Sequence, residues 1–185
     1  MSKTADVRSR RAYFDCRFGQ LHVRTAFPGT GGFDEFTTLL CIHPSGASSR
    51  VFEGFLKIIA NDRSVYAPDR PGNGESDGGA ALAAAAGAGA APDAAADAQA
   101  MSDLAADLRL RKFDILALGD GCAVAVELAT FKPELVRRVA FVSSAAVPGA
   151  NRVAQPSQLL KFPDDVFIEN LLSIAKAAGQ FLNQR

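Results

Sequence analysis

The chain has 185 residues, of which 48% are hydrophobic and 22% are charged, and this composition indicates a single globular domain. Its 20 acidic and 20 basic residues give no net charge, so binding to nucleic acid or to an anionic membrane is not expected. The sequence contains neither a secretory signal nor an apolar segment long enough to cross a bilayer, and we therefore expect a cytoplasmic protein.

The N-terminal part of the sequence predicts a tail followed by a hairpin. Residues 1–12 are charged and lack an apolar run, so we expect a flexible tail with the basic cluster around Arg10 in solvent. Residues 13–27 contain two strand-like runs, YFDCRF and LHVRTAF, joined at a polar turn that includes Gly19. His22 falls in the second of these strands, where we expect a surface or edge position.

Strands then alternate with helices along the chain. The apolar run TTLLCIH at 37–43 predicts a strand buried on both faces, and residues 49–60 repeat apolar positions at helical spacing. Further strands are predicted at RSVYAP, FDILAL and RRVAFVSS, and further helices at LAADLRLR and CAVAVELATF. This alternation predicts an α/β fold, with a mostly parallel sheet flanked by helices and the antiparallel hairpin at its start.

A low-complexity tract, residues 78–100, consists mostly of alanine and glycine. Alanine favours helix, whereas the glycines and Pro92 interrupt it, so we expect a mobile surface loop that leads into a helix from about Asp93. The tract contains no pattern that indicates chemistry.

The segment FDILALGDGCA, residues 113–123, predicts a strand that enters a sharp turn and then a helix. Ala117 and Gly121 are small residues placed two before and two after Gly119, as a tight turn of this kind requires. The same pair of glycines fits part of a dinucleotide-binding fingerprint, whose third glycine is replaced here by Val124. The strand about twenty residues further on has no acidic residue to bind a ribose, so this second interpretation is the weaker one.

Four segments resemble the N-terminal two thirds of a bacterial α/β-hydrolase-fold protein. They are GQLHVR, LLCIHPSGASSRVFEGF, VYAPDRPGNGESD and FDILALGDGCAVAVELATFKPELVRRVAFVSS, and they cover roughly residues 13–145 apart from the alanine-rich tract. In that family the tip of the strand-to-helix turn carries the attacking serine, so the resemblance implies that Gly119 stands there without a nucleophile. Asp120 becomes the nucleophile if the register shifts by one residue. Cys122 becomes the nucleophile only if Val124 takes the position two residues after it, where the turn requires a small residue.

The HPSG turn that begins at His43 is similar to the His-Gly-x-x turn that the family has after its third strand. The resemblance implies an oxyanion hole formed by the backbone N–H groups of Ser45 and Asp120. For His43 we expect a structural role in the loop, with proton transfer as the alternative. Asp69 and Arg70 are expected to form an ion pair that fixes the loop after the fourth strand.

A complete Ser-His-acid triad cannot be assembled from this sequence. The family places the histidine after the nucleophile, whereas the two histidines of this chain, His22 and His43, both precede Gly119. Asp120 and His43 are therefore the weak catalytic candidates that the sequence offers.

The resemblance also divides the chain into segments. It implies a hydrolase core over residues 13–149 and the start of a cap-like helical segment over residues 150–185, with a helix from about Asp164. The run RRVAFVSS is the last clear strand, and we expect it to leave an open sheet edge. An open edge invites pairing, so a partner is implied: a second copy in a homodimer, a separate chain, or the C-terminal helix folded back.

These observations leave three functional hypotheses. The first is an α/β-hydrolase-fold protein that has lost the triad and binds a small apolar ligand or a partner. The second is an active hydrolase of ester-like or related carbonyl substrates that uses unconventional residues such as Asp120 and His43. The third is the truncated product of a longer hydrolase gene. Cys16, Cys41 and Cys122 lack metal-ligand spacing, and no cofactor or metal is expected.

Overall fold

A computed structural model describes residues 6–29, 34–78, 93–162 and 170–184 of the chain. Its strands and helices occur in the order β1 (Arg8–Cys16), β2 (Gly19–Phe27), β3 (Leu39–Ile42), α1 (Glu53–Ile59), β4 (Val65–Pro68), α2 (Ala94–Asp107), β5 (Phe113–Leu118), α3 (Gly121–Phe131), β6 (Val136–Val142), β7 (Ser157–Leu160) and α4 (Leu171–Leu182). Short 3-10 turns at Ser49–Phe52 and Ala150–Arg152 precede α1 and β7. None of the helices within the described ranges is long and apolar enough to cross a membrane.

The strands form one seven-stranded sheet in the order β1-β2-β4-β3-β5-β6-β7. β1 and β2 form an antiparallel hairpin, and β2 also pairs antiparallel with β4. The remaining neighbours, from β4 across to β7, all pair in parallel. The predicted α/β fold, with a mostly parallel sheet and an N-terminal antiparallel hairpin, is therefore confirmed.

Helices cover both faces of the sheet, and the central strand β5 shows how. All six of its residues are buried, because alternate side chains point into opposite cores. Phe113 and Ile115 join the core that contains the buried side chains of α2 and α3. Leu116 and Leu118 join the core that contains those of α1 and α4. The carboxyl end of β5 is thereby held from both sides, and the strand-to-helix turn follows directly after it.

The N-terminal tail predicted over residues 1–12 is wrong in its extent, because β1 begins at Arg8 and pairs along its whole length with β2. Residues 1–5 lie outside the described residues. The first residues of β1, including Arg10, are exposed on the outermost strand of the sheet. Charged side chains at such a position hinder pairing with another sheet, so the basic cluster has a structural reason to lie on a strand.

The prediction that RRVAFVSS leaves an open edge is also wrong. β7 pairs in parallel with β6 and is itself the last strand of the sheet within the described ranges. The C-terminal helix α4 packs against α1 and also contacts β6 and β7. The helix predicted from about Asp164 is described from Leu171, and residues 163–169 lie outside the described residues.

The alanine-rich tract is described only in its last part. Residues 79–92 lie outside the described residues, so the predicted surface loop is not tested there. α2 begins at Ala94, close to the predicted start at Asp93. The Asp93 side chain accepts a hydrogen bond from the Ala95 N–H at 3.0 Å and so acts as the N-cap of this helix.

Candidate active site

The turn between β5 and α3 has its tip at Gly119. Gly119 has a φ of +52°, a left-handed conformation that favours glycine, whereas Asp120 has an ordinary φ of −71°. The Gly119 N–H donates to the Val142 carbonyl oxygen at 2.9 Å, which ties the turn to β6. A Cβ atom at Gly121 would lie 2.6 Å from the His43 carbonyl oxygen, so only glycine fits there.

Cys122 does not face this turn as a reactive thiol. Its side chain is buried with the core residues of α2 and α3. The thiol donates to the Ala117 carbonyl oxygen at 3.3 Å. Cys122 is therefore a packed residue at the beginning of a helix.

His43 has both ring nitrogens occupied. Nδ1 lies 2.8 Å from the Pro44 carbonyl oxygen, and Nε2 accepts a hydrogen bond from the Arg70 backbone N–H at 2.8 Å. A carbonyl oxygen can only accept, so Nδ1 carries the proton and Nε2 uses its lone pair on Arg70. Burial of the ring lowers the pKa of His43 and keeps it neutral. This geometry gives His43 a structural role in the loop and leaves no free nitrogen to take a proton.

The proposed oxyanion hole already contains an anion of the chain itself. The Ser45 backbone N–H donates to Asp120 Oδ1 at 2.7 Å, and the backbone N–H of Asp120 also interacts with its own carboxylate. Burial opposes ionisation of this carboxyl, but the hydrogen bonds from Ser45 and the charge of Arg70 outweigh it. They lower the pKa of Asp120 below its ordinary value of 3.8. Asp120 is therefore an ionised carboxylate hydrogen-bonded to the Ser45 N–H, one of the two N–H groups that the resemblance assigned to the hole.

Arg70 connects this turn to α2. Its Nε donates to Asp97 Oδ2 at 2.7 Å, and both side chains are almost completely buried. Its Nη1 donates to the Ser45 hydroxyl at 3.2 Å and lies 3.7 Å from Asp120 Oδ1. The predicted ion pair between Asp69 and Arg70 is wrong, because Arg70 pairs with these two other carboxylates.

Asp69 instead organises the neighbouring loop. Its carboxylate accepts hydrogen bonds from the Ser49 N–H at 2.5 Å, the Glu75 N–H at 2.9 Å and His22 Nδ1 at 2.9 Å. His22 is only 1% exposed, so the prediction of a surface or edge position for this histidine is wrong. The sequence pattern of the strand gives no information about Asp69, the partner of His22, because Asp69 lies 47 residues away in the chain.

Sequence reasoning also missed Asp97. This residue lies in the alanine-rich tract, which was predicted to carry no chemistry, and its side chain is 2% exposed. The available signal was an acidic residue flanked by alanines on a helix, and such a residue indicates a buried charge only when a cationic partner is known. Among the residues that the structure describes, no three His, Cys, Asp or Glu side chains are grouped to hold a metal ion.

Comparisons with known proteins agree with this architecture. A family model described as the alpha/beta hydrolase family matches residues 39–184. Similar solved structures include an epoxide hydrolase from an endophytic Streptomyces, with a TM-score of 0.62 and 18% identity over 80% of this chain and 39% of that chain. Carboxylesterase CesB from Bacillus subtilis has a TM-score of 0.56 and 23% identity over 73% of this chain and 43% of that chain.

Haloalkane dehalogenase DatA from Agrobacterium tumefaciens has a TM-score of 0.57 and 16% identity over 72% of this chain and 40% of that chain. Identities this low show a shared fold and nothing about substrates. The chain spans about two fifths of the length of these three structures. No curated protein matches the sequence.

Proposed function

Because the chain belongs to the alpha/beta hydrolase family, we propose that it is a member without that family's catalytic machinery, which acts by binding rather than by hydrolysis. The observation that carries this proposal is the Asp120 carboxylate, which accepts the Ser45 N–H at 2.7 Å. Ester hydrolysis builds negative charge on the substrate oxygen, and an oxyanion hole stabilises that charge with free N–H donors. An ionised carboxylate at the same donors repels the developing charge instead.

The two remaining parts of a hydrolytic site are also lacking in the described residues. Gly119 has no side-chain atom that can attack a carbonyl carbon, so a neighbouring base would have no nucleophile to activate at this position. His43 uses one ring nitrogen on Pro44 and the other on Arg70, so proton transfer would require breaking the loop. These features support a role in binding.

We propose a small apolar ligand or a protein partner as the bound molecule, with a second copy of this chain as one such partner. Leu172 on α4 is 73% exposed and Phe131 at the end of α3 is 51% exposed, so both offer apolar contact surface. Among the described residues, β7 is the last strand of the sheet and its first two residues are exposed, which makes its outer edge available to a partner strand.

We further propose that the protein works in the cytoplasm. In the described part of the chain, the three cysteines Cys16, Cys41 and Cys122 form no disulfide. Buried and half-buried cysteines in the reduced state are compatible with a reducing compartment, where disulfides are rare.

The proposal is tested by measuring hydrolysis of short-chain nitrophenyl esters and labelling by a fluorophosphonate, in the wild type and in Asp120→Asn. We expect nitrophenolate release at the rate of buffer alone and no phosphonyl adduct by mass spectrometry for either protein. Asp103→Asn is the matched control, because Asp103 is a carboxylate of α2 that pairs with Arg17 away from the turn. An active serine esterase verifies both reagents.

Turnover above the buffer rate that is lost in Asp120→Asn and retained in Asp103→Asn would overturn the proposal. That result would identify Asp120 as the nucleophile or base of an active hydrolase. A phosphonyl adduct would overturn it as well, because labelling requires an activated side-chain oxygen. Equal background rates in all three proteins would support a binding role.

A further inference from the structure

A polar cavity of about 260 Å³ lies between β2, the 3-10 turn before α1 and the loop after β4. We call it the His22 cavity; its walls include His22, Arg24, Ser49, Arg50, Asp69 and Glu75. One water molecule needs only about 10–15 Å³ of such volume, and drug-sized ligands occupy about 300–1,000 Å³. The His22 cavity therefore has room for a molecule of a few non-hydrogen atoms.

The imidazole of His22 has one ring nitrogen without a partner at this cavity. Its Nδ1 lies 2.9 Å from Asp69 Oδ2, and a carboxylate can only accept, so Nδ1 carries a proton. The ring is 1% exposed, and its Nε2 has no hydrogen-bond partner in the described residues. The nearest charged atom, Glu75 Oε2, lies 4.0 Å from Nε2, which is beyond hydrogen-bond distance.

The state of Asp69 accounts for the proton on Nδ1. Burial favours the neutral acid, but hydrogen bonds from the backbone N–H groups of Glu75 and Ser49 outweigh it and lower the pKa of Asp69 below 3.8. Asp69 is thus ionised and fully engaged. The buried Nε2 of His22 is left to be satisfied by a polar group that a ligand in the cavity brings to it.

The cavity also presents unused donors. The Nε atom of Arg24 is buried and has no hydrogen-bond partner, and the nearest acid to this guanidinium is Glu53, 3.9 Å from Nη1. Arg50 adds a second guanidinium to the wall. A buried donor without a partner is costly, and a carboxylate is the group that guanidinium donors bind best.

The opposing negative charge of Glu75 is largely offset by its own partners. The Tyr13 hydroxyl donates to Glu75 Oε2 at 3.2 Å, and Arg11 lies 3.9 Å from Oε1. The ring of Tyr13 also packs against that of His22, with 5.4 Å between the centroids. Arg24 and Arg50 therefore remain available to an incoming anion.

From these contacts we propose that the His22 cavity binds a small hydroxycarboxylate. Its hydroxyl group, which can donate or accept, forms a hydrogen bond with His22 Nε2, and its carboxylate accepts from Arg24. This inference does not depend on the proposed absence of catalysis, because the cavity uses neither Gly119 nor Asp120.

The test follows the ring nitrogens of histidine by long-range ¹H–¹⁵N NMR while the full chain is titrated with glycolate. The chain has two histidines, so His43, whose nitrogens are both engaged, serves as an internal reference. Acetate lacks the hydroxyl and ethylene glycol lacks the carboxylate, and each isolates one half of the recognition. For a ligand of about five non-hydrogen atoms, dissociation constants between about 3 µM and 100 mM are accessible.

We expect a saturable shift of His22 Nε2 with glycolate, binding weaker by about tenfold for acetate and for ethylene glycol, and no shift of His43. Arg24→Gln should weaken glycolate binding by about tenfold. Arg8→Gln, a matched change on the same hairpin outside the cavity, should leave it unchanged. The proposal is overturned if glycolate gives no saturable shift below about 100 mM, if acetate or ethylene glycol binds equally well, if Arg24→Gln binds as the wild type does, or if His43 shifts instead.

Discussion

Replacing Gly119 by serine supplies the hydroxyl that the turn lacks. The structure predicts both the loss of stability that this substitution causes and its effect on ester hydrolysis. The φ of +52° is left-handed, and an L-residue in that region loses about 1–2 kcal/mol. The new Cβ would lie 3.3 Å from Pro44 Cβ, a tight contact that a small shift of the proline relieves. For a chain of this length, that loss corresponds to a melting temperature lower by about 2–8 °C.

Two other glycines provide matched controls for this magnitude. Gly46 has a φ of +72° with no atom within 4 Å of a built Cβ, so Gly46→Ser measures the conformational cost alone. Gly121 would place its Cβ 2.6 Å from a backbone oxygen of His43, which cannot move away as a side chain would. We therefore expect Gly46→Ser to be the mildest change, Gly119→Ser slightly worse and Gly121→Ser clearly the worst.

The assay is urea unfolding of the three variants, followed by nitrophenyl ester hydrolysis at neutral pH. Gly119→Ser should fold and still hydrolyse no ester above the wild-type rate, because the lone pair of His43 Nε2 is engaged by Arg70. A burst of nitrophenolate in proportion to protein would refute the argument that no base is available. A Gly119→Ser loss as large as that of Gly121→Ser would refute the assigned geometry of the turn.

Two further changes test the buried polar contacts. Since the folded pKa of Asp69 is below 3.8, its contribution to the free energy of unfolding is present above that pH and is lost as the pH falls. The stability difference between the wild type and Asp69→Asn, measured by urea unfolding across acidic pH, should shrink toward low pH; a constant difference would contradict this. Asn183→Ala removes an acceptor from the fully buried Arg63, so unfolding should become easier by about 1–3 kcal/mol. Asn183→Asp, which keeps an acceptor, should retain more of the melting temperature, and equal losses would contradict the assigned contact.

The parts of the fold that were predicted from the sequence are those that depend on patterns among residues close together in the chain. The alternation of strands and helices and the turn around Gly119 follow from hydrophobic spacing and from small residues at fixed separations. The short strand β7 was missed because Ser157–Leu160 has no distinctive pattern and is a strand only through its pairing with β6. β1 was predicted too short for the same reason, since its first residues are charged and depend on β2.

The contacts of the candidate site were less accessible to sequence reasoning. The resemblance implied an oxyanion hole formed by the backbone N–H groups of Ser45 and Asp120. The hydrogen bond from the Ser45 N–H to the Asp120 carboxylate was not predicted, because a side-chain rotamer decides it. The partners of Arg70 and His22 were missed, since each lies far away in sequence and one of them, Asp97, stands in a tract of little local information. Long-range polar pairs leave no periodic signal.

The carboxylate of Asp120 also determines how this turn responds to molecules from outside. Because the carboxylate belongs to the same chain, it competes with external anions for the Ser45 N–H at an effective concentration of at least about millimolar. Any external oxyanion must outcompete this built-in occupant before it touches the backbone donors. The turn therefore excludes weakly binding external anions because its own carboxylate already occupies the Ser45 N–H, whatever the size or shape of the external anion.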